Sequence, residues 1–309
     1  MPFLVAAPLV AALGALPPTC APPSPSARSA RSSAHSRRRI NAPVHVHGAQ
    51  RRKVLIVAVG QSNNGVTLEP GQLDPVLDAP DARVLELSQG VVRSHFDVAA
   101  PGERHVFQHP AQDDRGGICM RLAGAKALLQ GHPEIEEVTL YCGAVGGTSL
   151  APGLEEWEAD GALTQQTIER CAAFMDAHPD HEVIFWCSLG TTDAIKGMSQ
   201  EVFKGRLAAL AGALRSGIPG AAGAFWVQGD MPRPLVDWID GVGGNGTSIL
   251  EAQNRVADYI TDAAAASMFD LGTYENVHLD MNGLRLFGAR MARASRLRGG
   301  SPNSTAARP

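Results

Sequence analysis

The sequence predicts an α/β fold, a three-layer α/β/α sandwich around a central, mainly parallel sheet. Three observations predict it. Lys53–Gly60 (KVLIVAVG) is an unbroken apolar, β-branched run, the pattern of a strand buried on both faces. Shorter apolar runs recur downstream, each ending in small or polar residues. Between them lie stretches with apolar residues at three- and four-residue steps, the spacing of a helix that buries one face. Alternating strands and helices build a parallel sheet covered on both sides, with right-handed crossovers.

The elements follow in order. The first strand, Lys53–Gly60, ends at Gly60-Gln61-Ser62-Asn63. Residues 64–115 carry Pro70, Pro75, Pro80, Pro101 and Pro110 and read as a long irregular insertion that walls a cleft. A helix is expected over Ile118–Gln130 and a strand over Val138–Cys142 (VTLYC), which ends in GAVGGTSL. A helix over Leu163–Ala177 leads to the strand Val183–Cys187 (VIFWC), ending at Ser188–Gly190. A helix over Ser199–Arg215 precedes the strand Ala224–Gln228, ending in Gly229-Asp230. Ser248–Ala265 reads as helix, Ser267–Leu271 as a weaker fifth strand, and Gly283–Ala294 as the closing helix. The chain divides into a segment 1–52 outside the fold, one domain over 53–295, and a frayed tail over 296–309.

Composition narrows the function classes. Of 309 residues 44% are hydrophobic and 19% charged, which suits a folded body with a sizeable core. The 33 glycines follow no three-residue period, which excludes collagen, and no apolar stretch reaches the 18 residues of a membrane span. Five cysteines without CxxC or metal spacing read as buried thiols. Residues 1–53 hold eight of the 27 basic residues and no acid, so the remainder carries 19 basic against 31 acidic residues, about −12 in formal charge. A body that acidic repels phosphate backbones, and nucleic acid is excluded as its partner. The apolar start, Phe3–Leu16, followed by a Ser/Arg-rich run, has three readings: a signal peptide of a secreted protein, an organelle transit peptide, or a start codon placed too early.

Ligands of doubly wound sheets bind at the carboxyl ends of the strands. Here those ends are GQSNNG, GAVGGTSL, SLGTTDA and QGD. Ser62 directly follows a buried strand, where free backbone amides can stabilise an oxyanion; it reads either as a nucleophile or as a turn cap. The dinucleotide, phosphate-loop and GxSxG patterns are all missing there. Near the other end of the chain, Glu275-Asn276-Val277-His278 puts an acid three residues before a histidine. Such an acid can hold Nδ1–H and leave Nε2 to accept the serine proton. Asp270 and Asp280 are the competing acids; Asp280 is expected to cap the closing helix.

These motifs together resemble the SGNH/GDSL hydrolase superfamily, and within it the sialate O-acetylesterase and carbohydrate esterase family 6 branch. The resemblance covers most of residues 53–293 and rests on GQSN, VTLYCGAVGGTSL followed by Trp157, EAQNRVAD, and ENVHLDMNGLRLFGARMA. It implies Ser62 as nucleophile, His278 as base, and Glu275 in place of the usual Asp. The oxyanion donors become the amides of Ser62 and Gly147, with Gly146 nearly as good a choice. Gln61, Asn63, Thr148 and Trp157 are expected on the substrate side, Trp157 either stacked on a sugar ring or packed beneath its loop. WCSLGTTDA departs from the branch's usual W-x-Q-G-E-x-D: the side-chain amide that completes the oxyanion hole is missing, and Ser188, Thr191 or a loop amide is left to substitute. Asp193 reads as a loop organiser. The implied activity is removal of a small acyl group, acetyl, from an acylated carbohydrate, with no metal or organic cofactor. The altered third motif supports the alternative, a catalytically weakened or inactive carbohydrate-binding protein on the same fold.

Overall fold

The computed structural model describes residues 51–64, 73–87, 104–106, 120–151 and 157–298. The leading segment up to residue 50, the tail beyond residue 298 and most of the 64–115 insertion lie outside the described residues.

In chain order the elements are β1 (Arg52–Gly60), β2 (Val84–Leu87), β3 (Arg104–Val106), α1 (Met120–Gly131), β4 (Ile135–Cys142), α2 (Ala162–Ala177), β5 (His181–Ser188), α3 (Thr191–Ile195), α4 (Gln200–Gly217), β6 (Phe225–Gly229), α5 (Arg233–Gly241), α6 (Gly246–Asn254), β7 (Ala263–Ala266), β8 (Thr273–Tyr274), β9 (His278–Leu279) and α7 (Met281–Ala294). The main sheet runs β3-β2-β4-β1-β5-β6-β7. Every pairing in it is parallel except β2 with β3. The expected α/β/α architecture is present. The chain lays β2 and β4 on one side of β1 and then crosses to β5 on the other, so β1 lies at the reversal of strand order, where such folds form a crevice.

Residues Val54–Val59 are all 0% exposed, because alternate side chains enter two different cores. Val54 and Ile56 join the core beneath α1 and α7. Leu55, Val57 and Val59 join the core with Phe203, Leu207 and Ile249 from α4 and α6. Burying each such side chain is worth about 1.5–3 kcal/mol, which makes β1 the spine of the sheet. Helices α1 and α7 touch backbone to backbone. A Cβ on Gly288 would sit 2.1 Å from Met120 O, so only glycine permits that crossing. Cys142, Cys171 and Cys187 are buried free thiols.

The structure corrects three expectations. The fifth strand is Ala263–Ala266, not Ser267–Leu271, and α6 ends at Asn254 rather than continuing to Ala265. Four alanines favour helix on their own, but parallel pairing with Trp226–Gly229 imposes the extended form. The insertion is not wholly irregular: β2 pairs with β4, and the buried Glu86 on it accepts from Arg121 Nη1 of α1 at 3.1 Å. Finally, the ordered body extends past residue 295, since Leu297 is buried and Arg298 N donates to Glu182. Among the described residues no helix is long and apolar enough to cross a membrane.

Candidate active site

The site is built where β1, β4 and β5 end. Beyond Ala58↔Cys142 the ladder continues as Gly143 N→Ala58 O (2.8 Å) and Val145 N→Gly60 O (3.0 Å), which carries the β4 loop alongside Gln61 and Ser62. On the other side Gly60 pairs with Ser188, and Gln61 N donates to Ser188 O at 3.1 Å. Gly60 has φ +135°, and a Cβ there would lie 2.4 Å from Ser188 O. A side chain would push β5 away from the turn that carries the serine. Ser62 opens a single 3-10 turn, Ser62–Asn64, closed by Asn64 N→Gln61 O at 2.8 Å.

Ser62 itself is part-exposed, while Gln61, Asn63 and Asn64 around it are buried. Asn64 Nδ2 donates to Val59 O (2.5 Å) and Trp186 O (3.1 Å), pinning the turn across β1 and β5. Opposite lie Gly146 and Gly147, both exposed. A Cβ on Gly146 would stand 4.0 Å from Ser62 Cβ, whereas one on Gly147 (φ +78°) would meet nothing within 4 Å. Gly146 is therefore the glycine that faces the serine directly. The amides of Ser62, Gly146 and Gly147 have no acceptor among the described residues. Such free donors beside a hydroxyl can receive a developing negative charge.

The histidine arrives on a separate hairpin. β8 and β9 pair antiparallel with Tyr274 opposite His278, and the connecting residues Glu275 and Asn276 both take left-handed backbone, at φ 54° and 63°. Glutamate seldom adopts that conformation, which costs of order 1 kcal/mol and holds the acid at the tip of the turn. The hairpin is tied to the serine turn by Leu279 N→Asn63 Oδ1 at 3.2 Å. The residue after His278 is thus bonded to the residue after Ser62. His278 is half-buried, and burial lowers its pKa below the ordinary 6.5, against an opposing pull from the Glu275 carboxylate. No hydrogen bond joins His278 to Ser62 or to Glu275 among the described residues.

The competing acids are occupied elsewhere. Asp280 caps α7 through Gly283 N→Asp280 Oδ1 at 2.6 Å, as its sequence position suggests. Asp270 is an exposed partner of Arg290, which holds its carboxyl down at about 2. Asp193 accepts from Leu150 N at 2.8 Å, and Arg206 Nη1 donates to Leu150 O at 2.8 Å. The two grip the successive peptides on either side of Leu150 in the β4–α2 loop. Asp193 is wholly buried, which pushes its carboxyl up to about 6.

Four residues expected on the substrate side have their side chains in the framework beneath the nucleophile instead. Trp157 is 0% exposed, with its indole N–H shared between Gly60 O (3.2 Å) and Thr148 Oγ1 (3.0 Å), so it has no face for a sugar ring. Thr148 Oγ1 donates to Val145 O at 2.7 Å, Asn63 holds β9, and Gln61 is engaged by α3 and the β4 loop. The third strand end offers no side-chain amide. Ser188 is buried, and Leu189 points into the core with its carbonyl held by Gln253 Nε2 (2.6 Å) and Gln228 Nε2 (3.3 Å). Asp193 holds a loop, as expected of it, but its companion Arg206, the two glutamines and the Asn63 link were missed by sequence reasoning. Each is a contact between distant segments with no local pattern to announce it.

A mainly parallel sheet flanked by helices, with a hydroxyl and free amides gathered at its central strand ends and a histidine returned by the last hairpin, defines an α/β protein with a candidate hydrolytic site. The narrower assignment comes from comparison. A family model described as carbohydrate esterase, sialic acid-specific acetylesterase, matches residues 52–296, and the chain belongs to that family. It is a carboxylic ester hydrolase of the acetylesterase kind. Among solved structures it is similar to an Arabidopsis thaliana protein (18% identity, TM-score 0.60, covering 79% of this chain and 97% of that one). It is similar also to NanS (14%, TM-score 0.61, 79% and 97%). A third is a carbohydrate acetylesterase from Xanthomonas citri (17%, TM-score 0.53, 78% and 55%). No curated protein matches the chain in sequence.

Proposed function

We propose that this protein removes acetyl groups from an O-acetylated carbohydrate through a Ser62–His278–Glu275 triad. The observation that carries the reading is the Leu279 N→Asn63 Oδ1 bond, which holds the histidine hairpin against the serine turn. Ser62 Oγ attacks the ester carbonyl while His278 takes its proton; the carbonyl π pair moves to oxygen and forms the oxyanion. The amides of Ser62 and Gly147, with Gly146 beside them, receive that charge. Collapse of the intermediate expels the sugar alkoxide, which takes the proton from His278. Water then attacks the acetyl-serine by the same route and releases acetate. Glu275 orients the imidazole and stabilises its charged form. Catalytic hydrogen bonds often form fully only when substrate is bound, in keeping with the absence of one among these three side chains here.

Family membership favours an O-acetylated sialic acid as the carbohydrate. The test is acetate release from O-acetylated sialic acid, from acetylated xylose and glucose, and from p-nitrophenyl acetate, by wild type and Ser62→Ala. Release from at least one sugar by wild type, with loss of at least about 10³-fold in Ser62→Ala, is expected. Cleavage of p-nitrophenyl acetate alone would remove the carbohydrate from the reading. Equal rates for the two proteins would remove the serine.

A further inference from the structure

Gln61 lies between β1 and the serine, and only 4% of it is exposed. Its side-chain amide reaches both neighbouring strand ends. With the amide assigned the orientation in which every neighbour is paired, the nitrogen donates to Thr148 O at 2.9 Å and Thr192 Oγ1 at 3.1 Å, and the oxygen accepts from Thr191 Oγ1 at 2.7 Å and Thr191 N at 3.1 Å. A carboxamide has two N–H donors and two acceptor positions, so these four bonds saturate it. Its backbone is equally committed, N–H to Ser188 O and C=O to Asn64 N. The partners have a common place. Thr148 directly follows the Gly146–Gly147 turn, and Thr191–Thr192 open α3 at the end of the Ser188–Thr191 stretch that departs from the Gln-Gly-Glu of the family it resembles. The hydroxyls of Thr191 and Thr192 both meet Gln61.

We propose that Gln61 is a positioning residue that locks the Gly146–Gly147 turn and the start of α3 to the serine turn, and so sets the spacing between Ser62 Oγ and the glycine amides. The proposal rests on Ser62 being the nucleophile. The third strand end then serves the oxyanion site by fixing the frame rather than by adding a donor. Rigid placement matters at this scale, since a displacement of about 1 Å at a reacting centre lowers turnover by about 10²-fold. Without the Gln61 amide, Thr148 O would also lose a side-chain donor, and a buried carbonyl that loses a donor favours movement of the loop.

The experiment is steady-state hydrolysis of p-nitrophenyl acetate by the full chain, with kcat expressed per serine titrated by a fluorophosphonate. Gln61→Glu keeps the shape and the Thr191 bonds but sets an oxygen against Thr148 O. It is expected to lower kcat per titrated serine by about 10²-fold with KM within about threefold. The pair Thr191→Val with Thr192→Val cuts the same link from α3 and is expected to lower kcat by about tenfold. Combining it with Gln61→Glu should cost less than the product of the two, as for groups acting as one unit. A purely structural role would lower the titratable fraction and Tm and leave kcat per site unchanged; that result overturns the proposal. So does retention of kcat within about threefold by both Gln61→Glu and the threonine pair. Ser62→Ala, measured alongside, separates the two claims: if it hydrolyses at the wild-type rate, the failure belongs to the nucleophile and not to the clamp.

Discussion

A general base in this chemistry must be uncharged when it meets the serine, and the setting of His278 favours that state. Burial lowers its pKa below 6.5 while Glu275 pulls the other way. The profile of kcat/KM against pH is therefore expected to rise along an acid limb with its midpoint below 6.5 and then to level. Glu275→Gln removes the opposing pull, so it should move that limb to lower pH and cut kcat. In a related triad the analogous change cost about 10⁴-fold; Glu275 is exposed and more screened, so about 10²-fold is the expected loss here. Asp280→Asn should keep activity, because Asn caps a helix nearly as well as Asp. Near-normal turnover in Glu275→Gln together with a dead Asp280→Asn would move the acid to Asp280. The sequence made Ser62, His278 and Glu275 candidates through strand ends and spacing, and their proposed roles came from the family resemblance. It could not show that Gln61, Asn63, Thr148 and Trp157 are framework, because a polar residue beside a nucleophile has the same letters whether it faces the cleft or the loop behind it.

At the level of elements, legibility followed burial. β1, β4, β5 and β6 were legible to within three residues because parallel strands covered on both faces leave unbroken apolar runs. β7 was not, since Ala263–Ala266 has the composition of a helix and becomes a strand only by pairing with β6. β2 escaped because its four residues include Glu86, a charge made acceptable inside by Arg121 of α1. α3 begins in Gly-Thr-Thr-Asp, which reads as a turn, and the two-residue strands β8 and β9 are too short for any period to register. The α1–α7 crossing supplies a test of packing separate from chemistry. Gly288→Val places methyl groups where Met120 O already stands. Overpacking of that kind costs about 3 kcal/mol, or roughly 6–12 °C in Tm for a body of this size. An unchanged Tm would mean the helices do not cross this closely.

Across the whole molecule, charge and burial make two opposed pH dependences. Asp193 and Asp230, both wholly or nearly wholly buried, are pushed up to about 6 by loss of water, although each accepts a backbone N–H, from Leu150 and Met268 respectively. Carboxylates free in the unfolded chain titrate near 3.9. Between about pH 4 and 6 the folded protein therefore holds protons that the unfolded chain has released, and the contribution of these two groups to stability declines as pH rises through that window. Asp270, held at about 2 by Arg290, works the other way: its contribution is present above about pH 4 and is lost as pH falls towards 2. Asp193→Asn keeps an acceptor for Leu150 N but cannot ionise. Its Tm relative to wild type should therefore be higher at pH 7.5 than at pH 4.5; a constant difference would mean that Asp193 does not titrate in this range. The charge of about −12 outside the leading segment bears on partners rather than on the fold. The claim on which the rest depends is that Ser62 is the nucleophile, and covalent labelling tests it most directly. The full chain is treated with a fluorophosphonate, hydrolysis of p-nitrophenyl acetate is followed as label enters, and the adduct is located by peptide mass. One adduct on Ser62, gained in step with loss of activity and absent from Ser62→Ala, is the predicted result; full inactivation with the adduct on another serine, or undiminished activity with Ser62 fully labelled, would contradict the account.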